Sequence, residues 1–104
     1  MQHMTPTDQA LIRAICAKYL KGTRASVWLF GSRARGDHRD MSDVDLAIGS
    51  SLPLSIACLS EFSESLDEST LPFRVDVIDK ARTDHDFWNA IEQERVLLWT
   101  DGTD

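Results

Sequence analysis

No stretch of this 104-residue chain stays apolar for the roughly 20 residues that a membrane-spanning helix requires. The opening Met1-Gln2-His3-Met4 carries no secretory leader pattern, so a cytoplasmic protein is expected. Cysteine is scarce. Cys16 and Cys58 each sit in an apolar helical pattern, and no Cys-x-x-Cys or Cys/His spacing points to zinc or redox work, so both are expected to be small core residues. Basic residues are also in the minority, 11 against 17 acidic ones for a net charge of −6. That balance argues against DNA or RNA as the main partner, because backbone binding rests on lysine and arginine clusters. The length leaves no room for a second module, so a single domain is expected over residues 5–100, with residues 1–4 and 101–104 as flexible termini. A composition of 42% hydrophobic and 27% charged residues is that of a folded chain.

Local signals place the elements. Thr5-Pro6-Thr7-Asp8 is a helix start, with a capping hydroxyl, proline at the first helical position and an acid at the positive end of the dipole. Leu11, Ile12, Ile15, Cys16, Tyr19 and Leu20 repeat at helical spacing, and Gly22 is placed to end that helix. A second helix is expected from Leu52-Pro53 toward Asp67, with Leu54, Cys58, Phe62 and Leu66 on one stripe. Thr83-Asp84-His85-Asp86 caps a third, whose Phe87, Trp88 and Ile91 are expected to face inward. Val96-Leu97-Leu98-Trp99 reads as a closing strand.

The chemistry gathers in the middle of the chain. Val27-Trp28-Leu29-Phe30 reads as a buried strand, and Gly31 permits a sharp exit that brings main-chain amides close to an anion. Ser32 then opens a helical turn, whose amides and hydroxyl suit the terminal phosphates of a nucleotide. After ten intervening residues comes Asp43-Val44-Asp45, inside a strand expected over residues 42–50. There Val44, Leu46 and Ile48 share one face, and Asp43, Asp45 and Ala47 the other. Carboxylates two apart on a strand are about 6.5 to 7 Å apart at the Cα and can converge on two cations about 3.5 to 4 Å apart. Hard oxygen donors with room for water and phosphate favour Mg²⁺ over zinc. Phe73-Arg74-Val75-Asp76-Val77-Ile78 is a further alternating strand, on which Asp76 can join the pair across neighbouring strands. An Asp-x-Asp alone is often a solvated loop, and a glycine-serine turn is common; three pieces at workable spacing are what turn the reading toward metal-nucleotide chemistry.

These residues carry a resemblance to a known family. Gly31-Ser32-Arg33-Ala34-Arg35-Gly36 followed by Ser42-Asp43-Val44-Asp45-Leu46, with the later Asp76, resembles the signature of the DNA polymerase β-like nucleotidyltransferases, and within them the minimal nucleotidyltransferase (MNT) group. The resemblance implies an α/β (α+β) fold: a small mixed sheet with helices on one face and the active site on the other. It implies transfer of AMP from ATP to a hydroxyl with release of pyrophosphate. Asp43, Asp45 and Asp76 would be the catalytic and metal-binding acids, holding two Mg²⁺ ions, while Gly31, Ser32 and Arg33 would bind nucleotide. MNT proteins are commonly the antitoxins of small helical HEPN toxins, so a tyrosine of such a partner is the implied acceptor. An antitoxin that masks its partner by contact alone is the alternative. An aminoglycoside-modifying role fits less well, because those relatives add a helical domain for the drug.

The remaining polar residues have plainer expectations. Arg33 and Arg35 point in different directions on a short helix, so at most one is expected to touch nucleotide. Arg74 shares a strand face with Asp76 and can balance the acids. Of the histidines, His38 in the signature loop and His85 in a first helical turn are both expected at solvated positions, with His38 close enough to the phosphate grip to stay a candidate. Glu61, Glu64, Asp67 and Glu68 crowd a helix end against its dipole, as a solvated face or a partner surface.

Overall fold

Helix α1 (Pro6–Leu20) begins as its opening residues require. In the computed structural model, which describes residues 4–36 and 43–101, the Thr5 hydroxyl accepts a hydrogen bond from the Asp8 amide at 3.1 Å. At the other end Gly22 and Arg24 both adopt positive φ, 88° and 62°. The Asp101 carboxylate accepts hydrogen bonds from both their amides, at 2.9 and 2.8 Å, and so holds the non-glycine residue in a left-handed conformation it otherwise avoids. Asp101, which follows the closing strand, is therefore tied to this turn. Met4, set with the N-terminal leader on sequence grounds, is only 2% exposed and packs in the core.

Four strands follow, interrupted by helices: β1 (Ala25–Phe30), the short α2 (Ser32–Arg35), β2 (Val44–Ser50), α3 (Ile56–Asp67), β3 (Val75–Asp79), α4 (His85–Glu92) and β4 (Val96–Thr100). The sheet order is β3-β2-β1-β4. β1 runs antiparallel to β2 and β4, while β2 and β3 are parallel, which makes the sheet mixed. Parallel neighbours need a long crossover, and α3 supplies it. The β1–β4 pairing shifts register between Val27 and Trp28. At that bulge the Leu98 carbonyl accepts a hydrogen bond from Arg13 Nε at 2.8 Å, which fastens α1 to the closing strand.

One face of the sheet holds the main core. Ile12, Cys16 and Leu20 from α1 and Phe62 and Leu66 from α3 pack with Val27, Leu29, Val44, Leu46 and Ile48, all almost completely buried. The two-residue period of the strands puts the other side chains on the opposite face. There Trp88 and Ile91 of α4 close over Ala47, flanked by Trp28, Phe30 and Ile78. Asp45 and Asp76 are half-exposed on the strands, and exposed Asp43 stands just ahead of β2.

Several expected boundaries shift, each for a local reason. β2 begins at Val44; Ser42, like His38 and Arg39, lies outside the described residues. β3 begins at Val75 instead of Phe73, whose ring lies under the Arg33 guanidinium. α3 starts three residues after Pro53, because Ser55 has a hydroxyl to accept the Cys58 amide at 3.0 Å and Leu52 has none. Phe87 does not face inward. It is 47% exposed and meets Phe30 edge-on at 6.2 Å, since the buried stripe of α4 takes positions 88 and 91, three apart, and leaves 87 to one side. A 3₁₀ turn at Lys80–Arg82 was not anticipated; Asp79 caps it through the Ala81 amide and pairs with Arg82. Glu61, Glu64, Asp67 and Glu68 are all exposed.

Phe62 tests the position of this core. It is fully buried between α3 and the sheet, so Phe62→Ala is expected to cost about 3–5 kcal/mol, read from urea unfolding. A cost below about 1 kcal/mol would show that the residue is not packed as described.

Candidate active site

Gly31 leaves β1 at φ 79° and ψ −154°, a region of backbone space open essentially to glycine alone. Its missing side chain has a second consequence. A Cβ built there would lie 2.5 Å from Asp45 Oδ2, so the glycine corner and the Asp45 carboxylate are packed against each other. Ser32 then opens α2, whose single turn is closed by Arg35 N donating to Gly31 O at 3.1 Å and is stopped by Gly36 at φ 80°. Ser32 itself is half-buried.

Strand register brings the acids together. Asp45 is the Cα partner of Phe30 on one side and of Asp76 on the other. Neighbouring strands lie about 4.8 Å apart, and Val44 N donating to Arg74 O at 2.8 Å locks the start of this pairing. Asp43 stands just ahead of β2 and is exposed. Burial, first, and then the negative charges of Asp76, Asp43 and Glu94 push the Asp45 carboxyl above its ordinary value, with Arg35 opposing them. The two neighbours expected from sequence are therefore close enough for Asp45 to feel both. Among the described residues, however, no three His, Cys, Asp or Glu side chains are drawn into a ready-made metal cluster. Asp76 Oδ1 takes a hydrogen bond from Arg74 Nε at 3.1 Å. Crowded hard-oxygen donors that repel one another are nonetheless a donor set that a divalent cation such as Mg²⁺ fits.

The two signature arginines diverge as expected. Arg33 is 4% exposed and its guanidinium lies 4.5 Å over the Phe73 ring. Arg35 turns outward, and its Nη1 contacts both carboxylate oxygens of Glu94 at 3.1 and 3.2 Å. Glu94 also accepts the Gly31 amide at 2.6 Å. Sequence reasoning passed over Glu94. It lies 63 residues from Gly31, in an ordinary charged stretch after a helix, and no spacing marks it. A cavity of about 510 Å³ along α3 and β3, lined by Ile56, Leu59, Val77 and Ile78 among others, contains none of the three acids.

With this geometry in view, comparison with known proteins is decisive at the family level: the family described as Polymerase beta, Nucleotidyltransferase matches residues 12–103. The chain belongs to this family. It is 42% identical over 73 residues to Probable protein adenylyltransferase MntA of Haemophilus influenzae, a match covering 70% of this chain and 64% of that protein. The chain thus spans less than two thirds of that relative. Its fold is similar to a chain of a toxin-antitoxin crystal structure with AMP-PNP, at a TM-score of 0.72 and 20% identity over 92% of this chain and 74% of the other. It is also similar to a chain of the structure of tri-AMPylated Shewanella oneidensis HEPN toxin in complex with MNT antitoxin, at a TM-score of 0.62 and 22% identity over 88% and 72%. At such identities the likeness concerns the fold. No helix among the described residues is long and apolar enough to cross a membrane.

Two outcomes follow from the site. Gly31→Ala forces a side chain into the Asp45 carboxylate at a positive φ, so it is expected to lose more than about 1 kcal/mol of stability; an unchanged urea midpoint would show that the corner is loose. Asp45 gives the second. Its folded-state pKa is raised above the ordinary 3.8, so the folded chain holds that proton more tightly than the unfolded one, and the ionised form weakens the fold. Stability is therefore lost as pH rises through the raised value. In metal-free buffer Asp45→Asn is expected to raise the melting temperature at pH 7, with the gain fading as pH falls toward 3.8. A lower melting temperature at pH 7 would show that the carboxylate serves the fold.

Proposed function

We propose that this chain is an Mg²⁺-dependent protein adenylyltransferase that transfers AMP from ATP to a hydroxyl, that of a tyrosine, on a HEPN toxin, and that it acts as the antitoxin of the pair in the cytoplasm. The observation that carries this reading is the parallel register of Asp45 with Asp76, set directly against the Gly31 corner. Family membership supports nucleotidyl transfer. The name of the Haemophilus influenzae relative supports a protein acceptor, and the toxin-antitoxin structures of similar fold support a HEPN partner and ATP.

In this reading Asp43, Asp45 and Asp76 would hold Mg²⁺, which would supply charge neutralisation for the triphosphate and for the ionising acceptor hydroxyl. Ser32 and the amides of the turn after Gly31 bind the β- and γ-phosphates. Arg33, with its side chain committed to Phe73, contributes through its main chain. The acceptor oxygen attacks the α-phosphorus in line, a new P–O bond forms, and the bond to the bridging oxygen breaks to release pyrophosphate. Asp76 accepts the hydroxyl proton, which requires it to leave the Arg74 guanidinium it pairs with here. The acceptor comes from the partner.

The test mixes the purified chain with the HEPN protein encoded beside it, Mg²⁺ and α-labelled ATP, and compares wild type with Asp43→Asn. Wild type is expected to label the neighbour, and the variant to lose at least about 100-fold of that rate, beyond what disturbing an outer partner of a metal site costs. Equal neutralisation of the toxin by both proteins without any label would establish the contact-only antitoxin instead.

A further inference from the structure

The carboxylate of Glu94 is placed where a short helix cannot hold itself. α2 spans only four residues, too few to be stable in isolation, and it opens from a glycine, the residue with the most backbone freedom to lose on being ordered. Glu94 grips both ends of this turn: it accepts the Gly31 amide ahead of the turn at 2.6 Å and Arg35 Nη1 at its close at 3.1 Å. The grip is itself anchored. Glu94 N and Arg95 N both donate to Ile91 O at 3.0 Å, Ile91 is 3% exposed beside Trp88, and the Arg95 guanidinium stacks 4.2 Å over Trp28 while pairing with Glu92. The second core beneath α4 is thereby connected to the glycine-serine corner.

An ionised carboxylate only accepts hydrogen bonds, so Glu94 has nothing to offer a phosphate directly. Close to a triphosphate its charge is unfavourable, and the Arg35 guanidinium offsets it. What remains is its reach. We propose that Glu94 is a positioning residue for ATP: its carboxylate sets the Gly31–Ser32 corner and orients Arg35 before the nucleotide arrives, so that the corner fits the triphosphate without first having to be ordered. This deepens the transferase reading and rests on it.

The experiment separates reach from charge. Affinity for ATP with Mg²⁺ is measured by equilibrium titration of the full chain, alongside the Gly31 amide proton signal by NMR, for Glu94→Gln, Glu94→Asp and Glu94→Ala. Gln keeps the length and an oxygen acceptor but no charge, and is expected to bind ATP within about threefold of wild type. Asp keeps the charge and falls one methylene short; it and Ala are expected to bind between about 10- and 100-fold more weakly, the range typical for loss of a supporting partner, with the Gly31 signal moved upfield in both. Ser55→Ala, which removes the cap of α3, serves as a stability control expected to leave ATP affinity unchanged. If Glu94→Ala does not fold, the contrast between Asp and Gln decides. The proposal is overturned if Asp binds like wild type while Gln fails, if all three bind like wild type, or if Ser55→Ala weakens ATP as much as Glu94→Asp. A wild type that binds no ATP overturns the transferase reading together with this one, whereas intact wild-type binding with any of the adverse patterns overturns this one alone.

Discussion

Like charges side by side on adjoining strands destabilise a sheet, and the β2–β3 pairing nevertheless holds Asp45 and Asp76 abreast. The cost is met on the other face, where Val44, Leu46 and Ile48 of β2 are buried completely under α1 and α3. A slip of one residue in β2 would turn those three side chains to solvent and the acids into the core. The apolar face therefore fixes the position of the charged one. Every other part of the site takes its place from this register: Phe30 opposite Asp45, then the Gly31 corner against the carboxylate, then the turn that follows.

Much of this was legible because it rests on short-range physics. The Thr5 cap and Pro6 declare a helix start within four residues, and the alternation of Val44, Leu46 and Ile48 declares a face. Gly31 could be singled out because a turn between a buried strand and a helix needs glycine. What escaped depends on contacts between distant segments. Nothing near Arg33 announces that its guanidinium will lie on Phe73, and nothing near Glu94 announces that its carboxylate will close on Gly31. Phe87 was expected inward together with Trp88, and which of the two is buried depends on the rotation of a helix of eight residues, too short for its apolar positions to define a stripe unaided. The start of α3 was misjudged for a different reason: proline marks a boundary, but the residue with a hydroxyl to offer the Cys58 amide decides where the helix begins.

The molecule thus divides its two sheet faces between separate tasks. One is a continuous apolar layer under two helices. The other is split: an aromatic patch of Trp28, Phe30 and Trp88 beneath α4 gives way to carboxylates at the glycine corner. Arg95, stacked on Trp28 and paired with Glu92, and Arg35, paired with Glu94, stand along this boundary. Cations here moderate an acidic surface in a chain whose net charge is −6.

Among the described residues β3 is an outer strand, with β2 on one side and no further strand beyond it. Asp76 consequently lies at the rim of the sheet, with 45% of its side chain exposed. An acid at the bottom of a narrow cleft admits only what is small enough to enter. An acid at the rim can be approached sideways by a side chain that still belongs to a folded macromolecule, a geometry that suits the protein acceptor proposed above.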